Sequence, residues 1–190
     1  RETHKRYHKQ YPWQDAPLPE SFLPRHPFDN GELDIRDEML AEFPRDPDEV
    51  RMHASDYAAI LHHMDDGIGR VHAAAQRAGL TPENTVVVHT ADHGVAIGRH
   101  GLMGKQSVYD HSMRPPLIAA GPGFEQGVDD DRLCYMQDLY PSLLDAAGVD
   151  VPGDCQFQHL QSGSQRQHVG SAYLDLMRQV RDEIEVALVA

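Results

Sequence analysis

The stretch TADHGVAIGRHGLMGK, residues 90–105, comes one residue after an apolar run of three valines at residues 86–88. Such a run is typical of a buried strand, and the stretch after it combines one carboxylate, two imidazoles, one ammonium and four glycines. In open α/β sheets, functional sites form where loops leave the carboxyl ends of the strands. The sequence therefore predicts a site loop at the end of a central strand.

A long helix is expected ahead of this strand. Asp46 can act as its N-cap, Pro47 suits the first helical position, and an apolar stripe with spacings of three and four residues continues to Gly79, where the helix should end. The segment before it, residues 1–45, is rich in proline, histidine and charge and is expected to be irregular.

Two strands, residues 85–90 and 116–120, are predicted around the stretch, and the first has the apolar character of a strand covered on both faces in a parallel sheet. A short helix should follow Asp138, its expected cap, and stop at Gly148. The tail YLDLMRQVRDEIEVALVA, residues 173–190, is interpreted as an antiparallel hairpin.

Composition excludes several classes of protein. The chain has 190 residues and a formal net charge of −13, from 17 basic and 30 acidic side chains, which disfavours nonspecific nucleic-acid binding. It has no apolar stretch near 18 residues, so no membrane span is predicted. Because it opens on Arg1 in a charged segment, we expect it to be a piece of a longer protein.

Asp92 and His93 are candidate metal ligands, since a carboxylate oxygen and an imidazole nitrogen suit a divalent ion. Adjacent side chains can converge on one ion only where a strand has broken into a turn, which Gly94 permits. Two ligands are too few for a site. On spacing alone, a cap and a surface histidine therefore remain an open alternative for this pair.

The longer segment NTVVVHTADHGVAIGRHGLMGKQSVYDHSMRPPLIAAGPG, residues 84–123, resembles the C-terminal block of the sulfatases, which belong to the alkaline-phosphatase-like superfamily. The D-H-G, G-x-H-G, G-K and G-P-G motifs occur in the order and spacing of that family. FLPRHPFDNGELDIRDE (residues 22–38) and DLYPSLLDAAGVDVP (residues 138–152) are also similar to sulfatase segments. The resemblance covers most of the chain.

The resemblance implies a partial α/β fold, with an alkaline-phosphatase-like, mostly parallel sheet flanked by helices and a short antiparallel C-terminal hairpin. Residues 1–150 would be the C-terminal portion of the catalytic domain. Residues 151–190 would be a loop and the start of the smaller C-terminal subdomain.

The resemblance also implies roles for individual residues. Asp92 and His93 would bind a metal ion, usually Ca²⁺, with Mg²⁺ or Mn²⁺ as alternatives. Lys105 would contact the sulfate and act in catalysis. His100, as a catalytic residue, and His4, as a substrate-binding residue, would line the same pocket. The expected partner is a sulfated small molecule or glycan.

One family feature is missing from this sequence. Sulfatases have an upstream C-x-P-S-R or C-x-A-S-R segment whose Cys or Ser becomes formylglycine, and neither Cys134 nor Cys155 lies in such a segment. The nucleophile is therefore expected upstream in the parent protein, and this chain alone is predicted to be inactive. The alternatives are a phosphonate or phosphate ester hydrolase of the same superfamily and a noncatalytic remnant.

Overall fold

The computed structural model describes residues 5–29, 31 and 33–160, which divide between two compact units. Of the described residues, those within 5–74 and 93–114 form the first unit, and those within 75–92 and 115–160 form the second. The predicted C-terminal hairpin and His4 lie outside the described residues. Within the described part of the chain, no helix is long and apolar enough to cross a membrane.

Helices α1 (Lys5–His8), α2 (Pro47–Arg77, up to residue 74) and α3 (Asp110–Met113) belong to the first unit. The predicted start of α2 is confirmed, because Asp46 Oδ1 accepts hydrogen bonds from the amides of Asp48 at 2.8 Å and Glu49 at 3.0 Å. The predicted stop is confirmed as well, since Gly79 has a φ of 82° just after the last turn. The helix runs unbroken through its two internal glycines.

Only part of the predicted apolar stripe on α2 is buried. Val50, the first residue of the stripe, is fully buried, whereas Ala59, which is also fully buried, does not belong to the stripe. Four large stripe residues are exposed, with Val71 the most exposed at 69%: Tyr57, Leu61, Met64 and Val71. Spacing predicted which residues share a face of α2, whereas the packing of neighbouring segments decides which of them lose contact with water.

The small core of the first unit is formed by Ala41, Val50 and Met103, with Leu18 and Phe22 packed against it. Its members come from the irregular N-terminal segment, from α2 and from the loop at residues 94–105. As predicted, residues 5–45 are mostly irregular, with short 3-10 turns at Trp13–Asp15 and Glu38–Leu40. The proline-rich segment is thus a structural partner of the loop.

Strands β1 (Val87–Thr90) and β2 (Leu117–Ala120) of the second unit lie within the predicted ranges. They pair antiparallel, with Val87 opposite Ala120 and Thr90 opposite Leu117. The expectation that strand 85–90 lies in a parallel ladder is not met by this pair. Both strands also keep exposed side chains, including Ile118 at 62%, because an antiparallel pair can leave one face in solvent.

Helix α4 (Leu139–Ala146) follows a 3-10 turn at Met136–Asp138 and ends before Gly148, as predicted. The side chain of Asp138 does not cap α4, which corrects the prediction. Its buried carboxylate instead accepts the amides of Tyr135 at 2.8 Å and Gln158 at 3.0 Å. Because both oxygens bind backbone amides outside α4, Asp138 ties the chain after α4 to the segment before it.

Candidate functional site

The glycine-rich loop, residues 94–105, folds back on itself. The amide of Ala96 donates to the carbonyl of Gly104 at 2.8 Å, and the amide of Gly98 donates to the carbonyl of Leu102 at 2.7 Å. The chain reverses direction between these bonds. We call residues 101–104, which lead back towards Lys105, the return limb.

His100 lies at the tip of this loop with a φ of 55°, in the left-handed region that costs a non-glycine residue about 1–2 kcal/mol. Its amide donates to the carbonyl of Ser21 at 2.7 Å. Its own carbonyl lies 2.8 Å from Nδ1 of His26. The unusual backbone of His100 is therefore fixed by contacts from the irregular N-terminal segment.

His100 and three nearby rings form what we call the aromatic cluster: His26, His100, Tyr109 and His111. The imidazole of His100 stacks on Tyr109, with ring centroids 4.2 Å apart and planes inclined by 15°. The ring centroids of His111 and His100 are 5.8 Å apart. The rings of His26 and Tyr109 lie nearly perpendicular to each other, with centroids 5.7 Å apart. The side chain of His100 thus has a defined orientation.

Burial, together with the nearby His100 and Arg99, lowers the pKa of His111 to about 4. His111 is therefore neutral near pH 7. Its Nε2 lies 3.2 Å from the hydroxyl of Ser107. Within the cluster, His111 can serve as a neutral hydrogen-bonding partner but not as a cation.

A cleft of about 1250 Å³ opens beside the cluster, within the first unit. It lies between the N-terminal segment, α2 and the glycine-rich loop, and Tyr11, Tyr57 and Ser55 contribute to its walls. The charged and imidazole side chains that line it are Asp15, Arg99, His100, Asp110, His111 and Arg114. Of the predicted site residues that the structure describes, His100 is the one that lines this cleft.

The return limb is held by a buried ion pair. Glu38 accepts the amides of Met103 and Gly104, each at 2.8 Å, and pairs with the guanidinium of Arg45. Arg45 also donates from Nε to the carbonyl of Gly101 at 3.1 Å. Burial lowers the pKa of Arg45, and the Glu38 carboxylate opposes that effect. Two opposite charges therefore fix three backbone groups of the return limb.

Lys105 follows the return limb and lies beside a different carboxylate. Its Nζ is 3.8 Å from Oδ2 of Asp37, and the side chain is 37% exposed. Hydrogen bonds from Arg36 and then Gln106 keep the pKa of Asp37 below its ordinary value, so Asp37 is ionised. Lys105 is not among the described residues that line the cleft. His100 and Lys105 therefore have separate neighbours.

Of the two predicted metal ligands, Asp92 belongs to the second unit and His93 to the first. Asp92 is exposed and follows the end of β1. His93 is half-buried, and its Nδ1 lies 2.9 Å from the carbonyl oxygen of Gly94. Because a carbonyl only accepts hydrogen bonds, Nδ1 holds the proton, and Nε2 is the nitrogen with ligand character.

The described residues do not by themselves form a cation site. Across residues 5–29, 31 and 33–160, no group of three or more His, Cys, Asp or Glu side chains could hold a metal ion. Ca²⁺ takes six to eight oxygen ligands, and Asp92 with His93 supplies too few. The donor types fit a divalent ion, but their number does not.

Several residues that shape this region were missed from the sequence: His26, Asp37, Glu38 and Arg45. Three of them lie in or at the end of FLPRHPFDNGELDIRDE, whose resemblance to sulfatases was the available signal. Their contacts with the loop span 74 positions for His26 and 66 for Glu38. Such distances in sequence leave no periodic pattern.

A family model described as Sulfatase matches residues 2–149. Among curated relatives, N-acetylglucosamine-6-O-sulfatase of Bacteroides thetaiotaomicron is 34% identical over 107 residues, which are 56% of this chain and 19% of that protein. The chain thus spans about a fifth of the length of this relative.

Solved structures are similar as well. One, in complex with its substrate D-glucosamine-2-N,6-O-disulfate, aligns with a TM-score of 0.56 at 33% identity and covers 60% of this chain and 23% of that one. A phosphonate monoester hydrolase from Silicibacter pomeroyi aligns with a TM-score of 0.67 at 24% identity, over 86% of this chain and 35% of that one. The second likeness concerns the fold alone.

Proposed function

The chain belongs to the sulfatase family, and we propose that it is the C-terminal part of the catalytic domain of a longer sulfuric ester hydrolase. The observation that supports this most is the family match over residues 2–149, which includes the whole glycine-rich loop. Residues 151–190 would be a loop and the start of a smaller subdomain. The nucleophile, a formylglycine, would lie in a segment that precedes these residues.

The proposed substrate is a sulfate monoester, in a small molecule or a glycan. A similar structure binds a sulfated glucosamine, which supports a sulfated glycan as the substrate class. As the S–O bond breaks, negative charge moves onto the bridging oxygen, and fixed cationic or hydrogen-bonding groups stabilise this charge more in the transition state than in the ground state.

Two residues of the loop would provide such groups. The ammonium of Lys105 would contact the sulfate oxygens, as a compact charge suited to a tetrahedral anion. His100 would donate or orient a proton for the leaving alcohol, which its place in the wall of the cleft supports. His4 is proposed to bind substrate in the same pocket.

Asp92 and His93 are proposed to bind Ca²⁺, or alternatively Mg²⁺ or Mn²⁺, together with acidic residues from the preceding segment. The ion would supply positive charge beside the sulfate. Calorimetric titration of the full-length protein with Ca²⁺ tests this. Asp92→Ala should abolish binding, and unchanged affinity would remove Asp92 from the site.

The function is tested with the full-length protein and three substrates, an aryl sulfate, an aryl phosphate and a phosphonate monoester. We expect a preference for the sulfate, and no turnover by the present 190 residues alone. A preference for the phosphonate or phosphate would favour the alternative hydrolase of the same superfamily. Absence of turnover with all three would favour a noncatalytic remnant.

Lys105 gives the sharper test. Lys105→Ala should lower kcat/KM for the sulfate by about 100-fold, as expected for the loss of one preorganised donor. Lys105→Arg should rescue poorly, because a planar guanidinium does not replace a compact ammonium. Lys9→Ala, at an exposed lysine of the same unit, is the matched control. Equal activity of the Lys105 and Lys9 variants would contradict the proposed role.

A further inference from the structure

His26 is a buried histidine, 7% exposed, with a hydrogen-bond partner on the glycine-rich loop. Its Nδ1 lies 2.8 Å from the carbonyl oxygen of His100. A carbonyl oxygen can only accept, so Nδ1 must hold the proton and donate it. This histidine therefore acts as a hydrogen-bond donor to the backbone at the tip of the glycine-rich loop.

The segment that contains His26 fixes both polar backbone groups of His100. The carbonyl of Ser21 accepts the amide of His100 at 2.7 Å, and His26 donates to its carbonyl. Between these two contacts, His100 has a φ of 55°, which a non-glycine residue keeps only when its surroundings impose it. Losing one contact should let this residue relax towards an ordinary backbone conformation.

Relaxation of that backbone would turn the imidazole away from its present neighbour. The ring of His100 stacks on Tyr109 with centroids 4.2 Å apart, and the ring of His26 lies nearly perpendicular to that of Tyr109 with centroids 5.7 Å apart. His26 thus contacts both the backbone that determines the direction of His100 and the ring against which His100 rests. The stacked imidazole lines the cleft.

We propose that His26 is a positioning residue that aims the imidazole of His100 into the cleft through its Nδ1–H donor. The effect on catalysis rests on the proposed function, in which His100 acts on the leaving alcohol. The effect on the orientation of His100 is independent of that function. The two can therefore be tested separately.

Two substitutions separate the donor of His26 from its ring. His26→Asn keeps an N–H donor at the δ position and loses the ring, whereas His26→Phe keeps a ring and loses the donor. The matched control is His53→Phe, since His53 also contacts a backbone carbonyl, that of Leu40, at 3.0 Å. His53 is not among the described residues that line the cleft.

The first readout is the side-chain NMR spectrum of the histidines in the full-length protein, with His100 assigned by His100→Gln. In His26→Phe, the ring resonances of His100 should move towards those of a solvent-exposed histidine. In His26→Asn and His53→Phe, they should stay at their original positions. Unmoved His100 resonances in a folded His26→Phe protein would overturn the proposal, as would shifted resonances in His26→Asn.

The second readout is kinetic and uses the full-length protein. A misdirected proton donor should lower kcat by about 10- to 100-fold in His26→Phe with little change in KM, and His26→Asn should restore most of the rate. An increase in KM alone would overturn the positioning role. If the full-length protein has no sulfatase activity, the proposed function fails, and the NMR result still decides whether His26 orients His100.

Discussion

The return limb and the β1–β2 pair show opposite relations between regular structure and burial. The return limb has no regular secondary structure, yet Leu102 and Met103 are buried and Glu38 accepts two of its amides. The strands form a regular ladder, yet Ile118 is 62% exposed. The paired strands are therefore less buried than the return limb, although only the strands form a regular ladder. The return limb is held in place by contacts with side chains instead.

The largest expected effect comes from breaking the buried ion pair. Arg45→Met leaves the Glu38 carboxylate buried without its counter-charge, so the free energy of unfolding should fall by about 3–5 kcal/mol. Urea denaturation of the chain measures this.

The matched control lies in the second unit, where Arg132 and Asp130 form a more exposed pair. Arg132→Met should leave stability unchanged, because surface ion pairs contribute little. If both substitutions had the same effect, the charged contacts of the return limb would contribute no more than a surface pair, and the contrast between the two regions would fail.

A somewhat smaller loss is expected from Gly101→Ala in the return limb. Gly101 has a φ of 78°, and an added Cβ would lie 2.4 Å from the amide nitrogen of His26. The left-handed backbone costs about 1–2 kcal/mol and the overpacking about 1–3 kcal/mol, so the free energy of unfolding should fall by roughly 2–5 kcal/mol.

Gly148, in the second unit, isolates the backbone contribution. It has a φ of 67° and no atom within 4 Å of an added Cβ, so Gly148→Ala should cost only about 1–2 kcal/mol. The difference in urea denaturation between the two variants measures the close approach of the return limb to the segment around His26. Equal losses would mean that the contact relaxes without strain.

The smallest effect is a pH dependence arising from the aromatic cluster. The pKa of His111 falls from 6.5 to about 4 on folding, so between these values the unfolded chain binds more protons than the folded one. The stabilising contribution is complete above pH 6.5 and is lost as the pH falls towards 4. Because His111 is only partly buried, the loss should be below about 3 kcal/mol.

Thermal or urea unfolding at pH 4.5 and 7.5 measures this dependence. His111→Gln should reduce the difference in stability between the two pH values, and His72→Gln, at an exposed position of α2, serves as the control. If His111→Gln leaves the difference in the free energy of unfolding between the two pH values unchanged, protonation of His111 does not cause the pH dependence.

The sequence alone determined the elements whose signals are local. Asp46 and Gly79 were predicted as the ends of α2, and the positions of both strands followed from apolar runs bounded by turns. A cap or a stop acts through neighbouring residues, so the short-range pattern is sufficient. The resemblance to sulfatases and the α/β fold class are confirmed by the family match and the similar structures.

Only the tertiary structure decided the antiparallel partner of β1, the exposure of much of the α2 stripe and the contacts of the glycine-rich loop. The roles of Asp92, His93, Lys105 and His100 stay predictions, and His4 lies outside the described residues. His26 and Glu38 reach the loop from 74 and 66 positions away. Hydrogen bonds between two irregular segments impose no periodicity on either, so their pairing becomes visible only when the chain has folded.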